Sequence, residues 1–123
     1  MTKNAVAELL EKYDGDAYAL LQLPIENDRT FRGFSDIHET VRLSDYELVY
    51  SGLLENSKLA VNYILEDLFE KFNAFHPIDY KARSMSVSDV VAIRNKQYVD
   101  FFFCDRYGFK FLESVNLEEG YDD

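Results

Sequence analysis

Apolar residues recur with the period of a helix in two parts of the chain. Over residues 2–13 they follow Thr2, whose hydroxyl is suited to cap a helix that ends near residue 13. Over residues 56–73 they form the longest stripe in the sequence, made of Val61, Ile64, Leu65, Leu68, Phe69 and Phe72. A third, short helix is expected between residue 35 or 36 and about residue 43.

Strands are predicted where apolar residues run together between turn signals. Residues 17–23 form one such run, which Pro24 ends. Two more runs, at 90–93 and 98–104, flank the polar triplet 95–97 and predict a β-hairpin. Because both hairpin runs are apolar at nearly every position, we expect protein to cover both faces of the hairpin.

The segment 46–51 alternates strictly, which is typical of a strand with one buried face. The alternation places Tyr46, Leu48 and Tyr50 together on one face. Residues 107–113 show only the pattern of a short extended segment.

The order helix, strand, helix, strand, helix, strand, strand predicts an α+β fold. We expect a mainly antiparallel sheet of about four strands, with three helices packed on it and a β-hairpin near the C-terminus. Residues 1–115 are expected to form a single α+β domain, and residues 116–123 an acidic, flexible tail.

The chain is strongly acidic, with 13 Lys and Arg against 23 Asp and Glu and a formal net charge of −10. Such a domain is repelled by free nucleic acid and by anionic membranes, and it is attracted to basic protein surfaces. No apolar run approaches the length that spans a membrane, and no N-terminal leader is evident. We therefore expect a cytoplasmic protein without membrane or direct nucleic-acid contacts.

Candidate metal ligands and nucleophiles are few. His38, His76 and Cys104 are isolated from one another, so we expect no metal site, with His38 at the surface and His76 at a helix end. Cys104 ends an apolar run, where a thiol is typically buried and inert. We expect no catalytic residue and no cofactor.

A metal-dependent nuclease is the enzymatic alternative. Asp79 and Lys81 have the acid-x-Lys spacing of one nuclease class, in which carboxylates hold a divalent ion and lysine stabilises phosphate charge. The same spacing arises often by chance in a chain this rich in charge, and the acidic net charge opposes the binding of a polyanion.

A candidate protein-binding surface lies on the polar side of the longest predicted helix, where Glu66, Asp67 and Glu70 come together. Acids in two predicted loops extend this surface in our hypothesis, namely Asp14, Asp16, Glu26 and Asp28. Carboxylates of this kind are suited to bind Arg and Lys of a nucleic-acid-binding protein. The alternative is an ordinary solvated helix face.

Four sequence blocks, at residues 13–23, 45–52, 84–93 and 102–109, together resemble the YodL-like domain of small proteins from mobile elements of Gram-positive bacteria. The family pattern is Leu/Met-Ser-Val-Ser-Asp-Val-Val, followed by a hairpin that ends Tyr-Tyr-Cys-Asp-x-Phe-Gly-Phe. In this chain Phe102 and Phe103 replace the tyrosine pair, and Tyr107 replaces a phenylalanine. The resemblance spans about residues 13–111.

Some mobile-element proteins similar to this one inhibit type II-A CRISPR systems by acting on Cas9 or its guide RNA. The resemblance therefore implies an anti-CRISPR protein that binds Cas9 or the Cas9–guide RNA complex and interferes with guide RNA assembly or DNA access. A nuclease that acts on guide RNA and an acidic antirestriction or interaction module are the alternatives. Self-association through the hairpin is also left open.

Overall fold

The computed structural model describes residues 1–120, apart from the side chain of His38. The prediction for His38 and the last part of the predicted tail, residues 121–123, lie outside the described residues. Three α-helices are present in residues 1–120: α1 (Lys3–Glu11), α2 (Phe34–Ile37) and α3 (Val61–Ala74). Five strands are present in the same range: β1 (Ala17–Gln22), β2 (Glu47–Leu53), β3 (Val90–Asn95), β4 (Tyr98–Cys104) and β5 (Phe109–Asn116).

The five strands form one antiparallel sheet in the order β2-β1-β3-β4-β5. Its two faces carry two separate hydrophobic cores. The core on the α1 side contains Val6, Ala19, Val90 and Phe101, and the core on the α3 side contains Tyr18, Leu20, Val91 and Phe102, together with other residues. Protein therefore covers both faces of the central strands, as the apolar runs of the hairpin predict.

Helix α1 begins where the sequence predicts it. The Thr2 hydroxyl accepts a hydrogen bond from the backbone N–H of Ala5 at 3.1 Å, which satisfies one of the free donors in the first turn. The helix ends at Glu11, two residues before the predicted end. The guanidinium of Arg94 then donates to the carbonyl oxygens of Leu10, Tyr13 and Gly15, at 2.9 to 3.2 Å.

Helix α3 packs Ile64, Leu65, Leu68 and Phe72 against the sheet. It begins at Val61, several residues later than predicted, because the preceding segment forms a separate turn in which the N–H of Leu59 bonds the carbonyl of Asn56. Phe69, which the helical stripe places inward, is 40% exposed. The buried stripe is therefore narrower than the sequence pattern.

The sheet has one strand more than the predicted four. Strand β5 pairs with β4 along eight residues, although the sequence indicates only a short extended segment there. The register shifts opposite the Phe101/Phe102 step, so that Leu112 is an extra residue on β5, a β-bulge. The bulge interrupts the alternation of apolar residues, and the strand lies at the edge of the sheet with most positions exposed or half-buried.

Strand β2 contains a second bulge, which changes the face of the sheet on which part of its side chains lie. Leu20 pairs with Tyr50 and Leu21 with Leu48, so Val49 is the extra residue. Leu48 packs in the α1-side core, whereas Tyr50 packs in the α3-side core. The prediction that Tyr50 shares a face with Leu48 is therefore wrong, because the bulge exchanges the two faces midway along the strand.

Helix α2 is a single turn, shorter than predicted, and 3-10 turns at His38–Thr40 and Leu43–Asp45 follow it. A carboxylate that is distant in sequence caps it, since Asp105 Oδ1 accepts from the N–H of Phe34 at 3.1 Å. After β5, another 3-10 turn occupies Leu117–Glu119. Within residues 1–120, no helix has the length and apolar content needed to cross a membrane.

Candidate protein-binding surface

Three carboxylates occupy the outward side of α3, and we call Glu66, Asp67 and Glu70 the acidic triad. All three side chains are exposed. Residues three and four positions apart on a helix are neighbours, so Glu70 lies beside both of the others. In the part of the chain that the structure describes, no Lys, Arg or His nitrogen lies within 4.0 Å of these carboxylates. The triad thus presents three negative charges that no intramolecular ion pair neutralises.

Exposed aromatic side chains surround the acidic triad. Tyr63 is 59% exposed, Phe69 is 40% exposed and Phe75, just after the helix, is 69% exposed. Apolar anchors beside a charged rim are the arrangement that protein interfaces use, because the anchors supply buried area and the charges supply orientation. Exposed aromatic rings and unpaired carboxylates therefore lie side by side on α3.

The structure separates the other predicted acids into two groups. Asp14 and Asp16 lie in the turn before β1, and Glu26 and Asp28 lie in the loop after it. The strand between them has six residues, so the two groups are about 20 Å apart at 3.3 Å per residue. The two groups therefore lie at opposite ends of β1.

Of these four acids, Asp16 has a structural contact. Its Oδ1 accepts a hydrogen bond from the N–H of Lys96 at 2.9 Å, in the turn between β3 and β4. Its backbone carbonyl accepts from the N–H of Leu54 at 2.9 Å, which brings this turn to the end of β2. Asp14 and Asp16 therefore lie next to the segment that packs against α3.

Cys104 lies in the α3-side core and is 2% exposed. Burial, with smaller effects from the carboxylates of Asp89 and Asp105, raises the pKa of its thiol to about 12. The thiol is therefore protonated at neutral pH, and a protonated thiol is a poor nucleophile and a poor metal ligand.

The acid-x-Lys pair lies in the connector between α3 and β3. Asp79 accepts a hydrogen bond from the hydroxyl of Tyr50 at 2.8 Å, and Lys81 is exposed. Between them, Tyr80 is buried against Phe72, with ring centroids 4.9 Å apart, so it anchors the connector. Residues 1–120, without the His38 side chain, contain no group of three or more His, Cys, Asp or Glu placed to hold a metal ion.

The sequence analysis did not identify a buried polar cluster around Asp89, whose side chain is fully inaccessible. Its Oδ2 accepts from the N–H of Ser86 at 2.8 Å and from the Nε2 of Gln22 at 3.0 Å. Arg83 Nη2 lies 3.1 Å from Oδ1, but without the orientation of a hydrogen bond, so this contact is an ion pair. Burial raises the pKa of Asp89 to about 6, and the guanidinium of Arg83 opposes the rise.

The Asp89 cluster explains the Ser-Val-Ser-Asp block in structural terms. Gln22 also donates to the carbonyl of Arg83 at 3.1 Å, and the hydroxyl of Tyr46 donates to the carbonyl of Ser88 at 2.6 Å. The block thus joins the connector, β1 and the segment before β2. The sequence signal that could have predicted this buried acid is the position of Asp89 directly before the apolar run 90–93.

The fold and the composition define a small, acidic α+β domain. The sequence matches the family model of the YodL-like domain over residues 17–114, which is most of the chain, so the protein belongs to the YodL-like family. The matched range extends from β1 into β5, and α1 precedes it. No curated protein and no solved structure matches the chain.

Proposed function

We propose that this YodL-like protein is a non-enzymatic inhibitor of type II-A Cas9 that binds the effector, or its complex with guide RNA, through the α3 surface. The observation that carries the proposal is the acidic triad, Glu66, Asp67 and Glu70, whose exposed carboxylates have no ion pair in the described structure. The nearest cation in sequence, Lys71, is bound to Glu55 at 3.8 Å.

The charge of the partner supports this assignment. The Cas9 channel that holds guide RNA and the heteroduplex is positively charged and contacts the nucleic-acid backbone. Carboxylates bind Arg and Lys through charge-assisted hydrogen bonds, and such pairs accelerate association and fix orientation. An acidic domain bound in this channel would compete with RNA or DNA for the same cations. No covalent step and no cofactor are needed.

A cleavage assay with a type II-A Cas9 at physiological salt tests the proposal. We expect the protein to bind Cas9 in a pull-down and to protect target DNA from cleavage. Adding the protein before or after the guide RNA identifies the step that is blocked. Protection only when it is added first indicates interference with guide assembly, and equal protection in both orders indicates blocked DNA access. Absence of both binding and protection refutes the proposal.

Charge reversal on α3 tests the proposed surface. In the triple variant Glu66→Lys, Asp67→Lys and Glu70→Lys, we expect inhibition to weaken by about tenfold or more and to lose its dependence on salt. Far-UV circular dichroism should be unchanged, because the three side chains are exposed.

The matched control reverses three other exposed carboxylates, Glu8, Glu47 and Glu118, with the same change in net charge. This control should inhibit like the wild type, apart from a general effect of net charge. Equal losses in both triple variants would show that net charge acts without the α3 surface. Inhibition unchanged in the α3 variant would place the working surface elsewhere.

Two further assays test the alternative functions, a guide-RNA nuclease and an antirestriction protein. Incubation of guide RNA with the protein and Mg²⁺, followed by a gel, reveals a nuclease, and Asp79→Asn and Lys81→Met would then abolish the cleavage. Protection of DNA from a restriction endonuclease reveals an antirestriction protein. We expect intact RNA and normal restriction, since inhibition of Cas9 by binding requires neither activity.

A further inference from the structure

A cleft of about 210 Å³ lies between α3 and the segment that follows β2. Leu53, Leu54 and Leu68 line its sides, Phe75 stands beside it, and Tyr18 from β1 also lines it. We call it the α3–β2 cleft. Two members of the acidic triad, Asp67 and Glu70, belong to its lining, so the cleft opens on the proposed binding surface.

Tyr18 brings a polar group to this largely apolar cleft. Its side chain is only 2% exposed. Its ring crosses the partner strand at Gly52, where an added Cβ would lie 3.3 Å from both the hydroxyl oxygen and Cε1. In the described part of the chain, the Tyr18 hydroxyl forms no hydrogen bond with another protein group. The hydroxyl is thus free to bond a group that enters the cleft.

The charges around the cleft favour a cation. Glu55, Asp67 and Glu70 contribute three carboxylates, against the single ammonium of Lys71. That ammonium pairs with Glu55 at 3.8 Å and lies 5.8 Å from the centre of the Tyr18 ring. The lining therefore keeps a net negative charge, and within the described residues the carboxylates of Asp67 and Glu70 have no ion pair.

The size and the walls of the cleft limit the ligand further. Its volume is below the range of about 300–1,000 Å³ that is usual for small-molecule and cofactor sites, so it suits one long side chain. Phe75 lines the cleft and is 69% exposed, so its ring is accessible to a ligand. A guanidinium is planar, stacks on aromatic rings, and donates to carboxylates and hydroxyls at once, whereas an ammonium is a compact charge.

We propose that the α3–β2 cleft receives the side chain of an arginine from a basic segment of the partner protein. The guanidinium donates to Asp67 and Glu70 at the rim and to the Tyr18 hydroxyl within the cleft, and it stacks on Phe75. Arginine is one of the residues that most often anchor protein interfaces. The identity of the partner rests on the proposed function, but the preference of the cleft for a guanidinium does not.

Titrations with N-acetyl-arginine methylamide, followed by NMR of the ¹⁵N-labelled protein, test the cleft directly. We expect saturable shifts of the amides of Leu53, Leu54 and Lys71, with a Kd on the order of millimolar for so small a ligand. The lysine analogue should bind more weakly, and the norleucine analogue should not bind. Equal binding of the norleucine analogue, or the absence of saturable shifts at these amides, overturns the proposal.

Variants of the lining complete the test. Tyr18→Phe removes only the hydroxyl and should weaken binding of the arginine probe by about tenfold, the usual effect of losing a hydrogen bond to a charged group. Phe75→Ala alters an exposed ring and should also weaken it. The control Tyr98→Phe removes a hydroxyl from an exposed residue outside the cleft and should have no effect. Unchanged affinity in both Tyr18→Phe and Phe75→Ala contradicts the proposed binding mode.

The two proposals can fail separately. If the arginine probe binds the cleft but Cas9 is neither bound nor inhibited, the proposed function is wrong and the arginine site stands. If reversal of the acidic triad abolishes Cas9 inhibition while Tyr18→Phe and Phe75→Ala leave it intact, the proposed function stands and the cleft is not the anchor.

Discussion

Replacing Asp89 with Asn measures the cost of a buried carboxylate. Asp89 is fully buried, and burial raises the pKa of its carboxyl from 3.8 to about 6 even with Arg83 beside it. The native state therefore holds this proton more tightly than the unfolded chain does. Stability from this group is complete below the unfolded pKa of 3.8 and is lost as pH rises through about 6. Since each tenfold change in acidity is worth about 1.4 kcal/mol, the loss is about 3 kcal/mol.

The assay is urea unfolding of the wild type and Asp89→Asn from about pH 4 to about pH 8, followed by far-UV circular dichroism. Asn does not ionise, so subtracting the variant removes the titration of other groups that the two proteins share. The free energy of unfolding of the wild type relative to the variant should fall by about 2.5 kcal/mol across this range, because part of the loss has already occurred below pH 4, and the m values should be unchanged. A difference that is constant with pH, or that rises, refutes the reasoning.

A companion variant tests the part played by Arg83. Its guanidinium lies 3.1 Å from Asp89 Oδ1 and lowers the pKa of the carboxyl. In Arg83→Met we expect the upper end of the pH window in which stability is lost to move upward. Direct NMR titration of the Asp89 carboxyl carbon would show the same change, and a downward movement would contradict the assigned cause.

Two other predictions concern stability and reactivity. Arg94→Met removes a guanidinium that bonds three carbonyl oxygens after α1, and we expect a loss of about 2 kcal/mol in urea unfolding. Lys96→Met, at an exposed side chain, is the control, and equal losses would contradict this role for Arg94. Cys104, buried with a thiol pKa of about 12, should resist iodoacetamide in the native protein and react in urea, as followed by mass spectrometry. Rapid native alkylation would contradict its burial.

The sequence was sufficient to predict the centre of the fold. The strands β1, β3 and β4 are apolar on both faces because a core lies on each side, and such runs are recognisable in sequence without knowledge of their partners. Helix α1 could also be predicted from the sequence, because its apolar stripe and its Thr2 cap are local signals. The family resemblance was also confirmed by the family model.

The features that were missed depend on pairing between distant residues. Strand β5 lies at an edge, where one exposed face and a bulge weaken the pattern that marks a strand. The bulge at Val49 is defined by the register between β2 and β1. The alternation of residues along β2 does not indicate it. Gln22 and Asp89, which bond each other, are 67 residues apart.

The predicted binding surface also has one part that could be predicted from the local sequence and another part that depends on the fold. Exposure of Glu66, Asp67 and Glu70 follows from helical period alone, and the structure places them together on α3. The α3–β2 cleft combines β1, the end of β2 and α3, so only the fold brings its lining together. The separation of Asp14 and Asp16 from Glu26 and Asp28 also needs the position of β1 between them.

The two bulges have a consequence for how other chains meet this sheet. Strands β2 and β5 form its two edges, and each carries an extra residue, Val49 in one and Leu112 in the other. A bulge bends the strand and increases its local twist. A strand from another chain that aligned along either edge would therefore fall out of register at the bulge. Its backbone N–H and C=O groups could not all form hydrogen bonds with the edge strand. This geometry disfavours edge-to-edge aggregation of a domain whose central strands are very apolar.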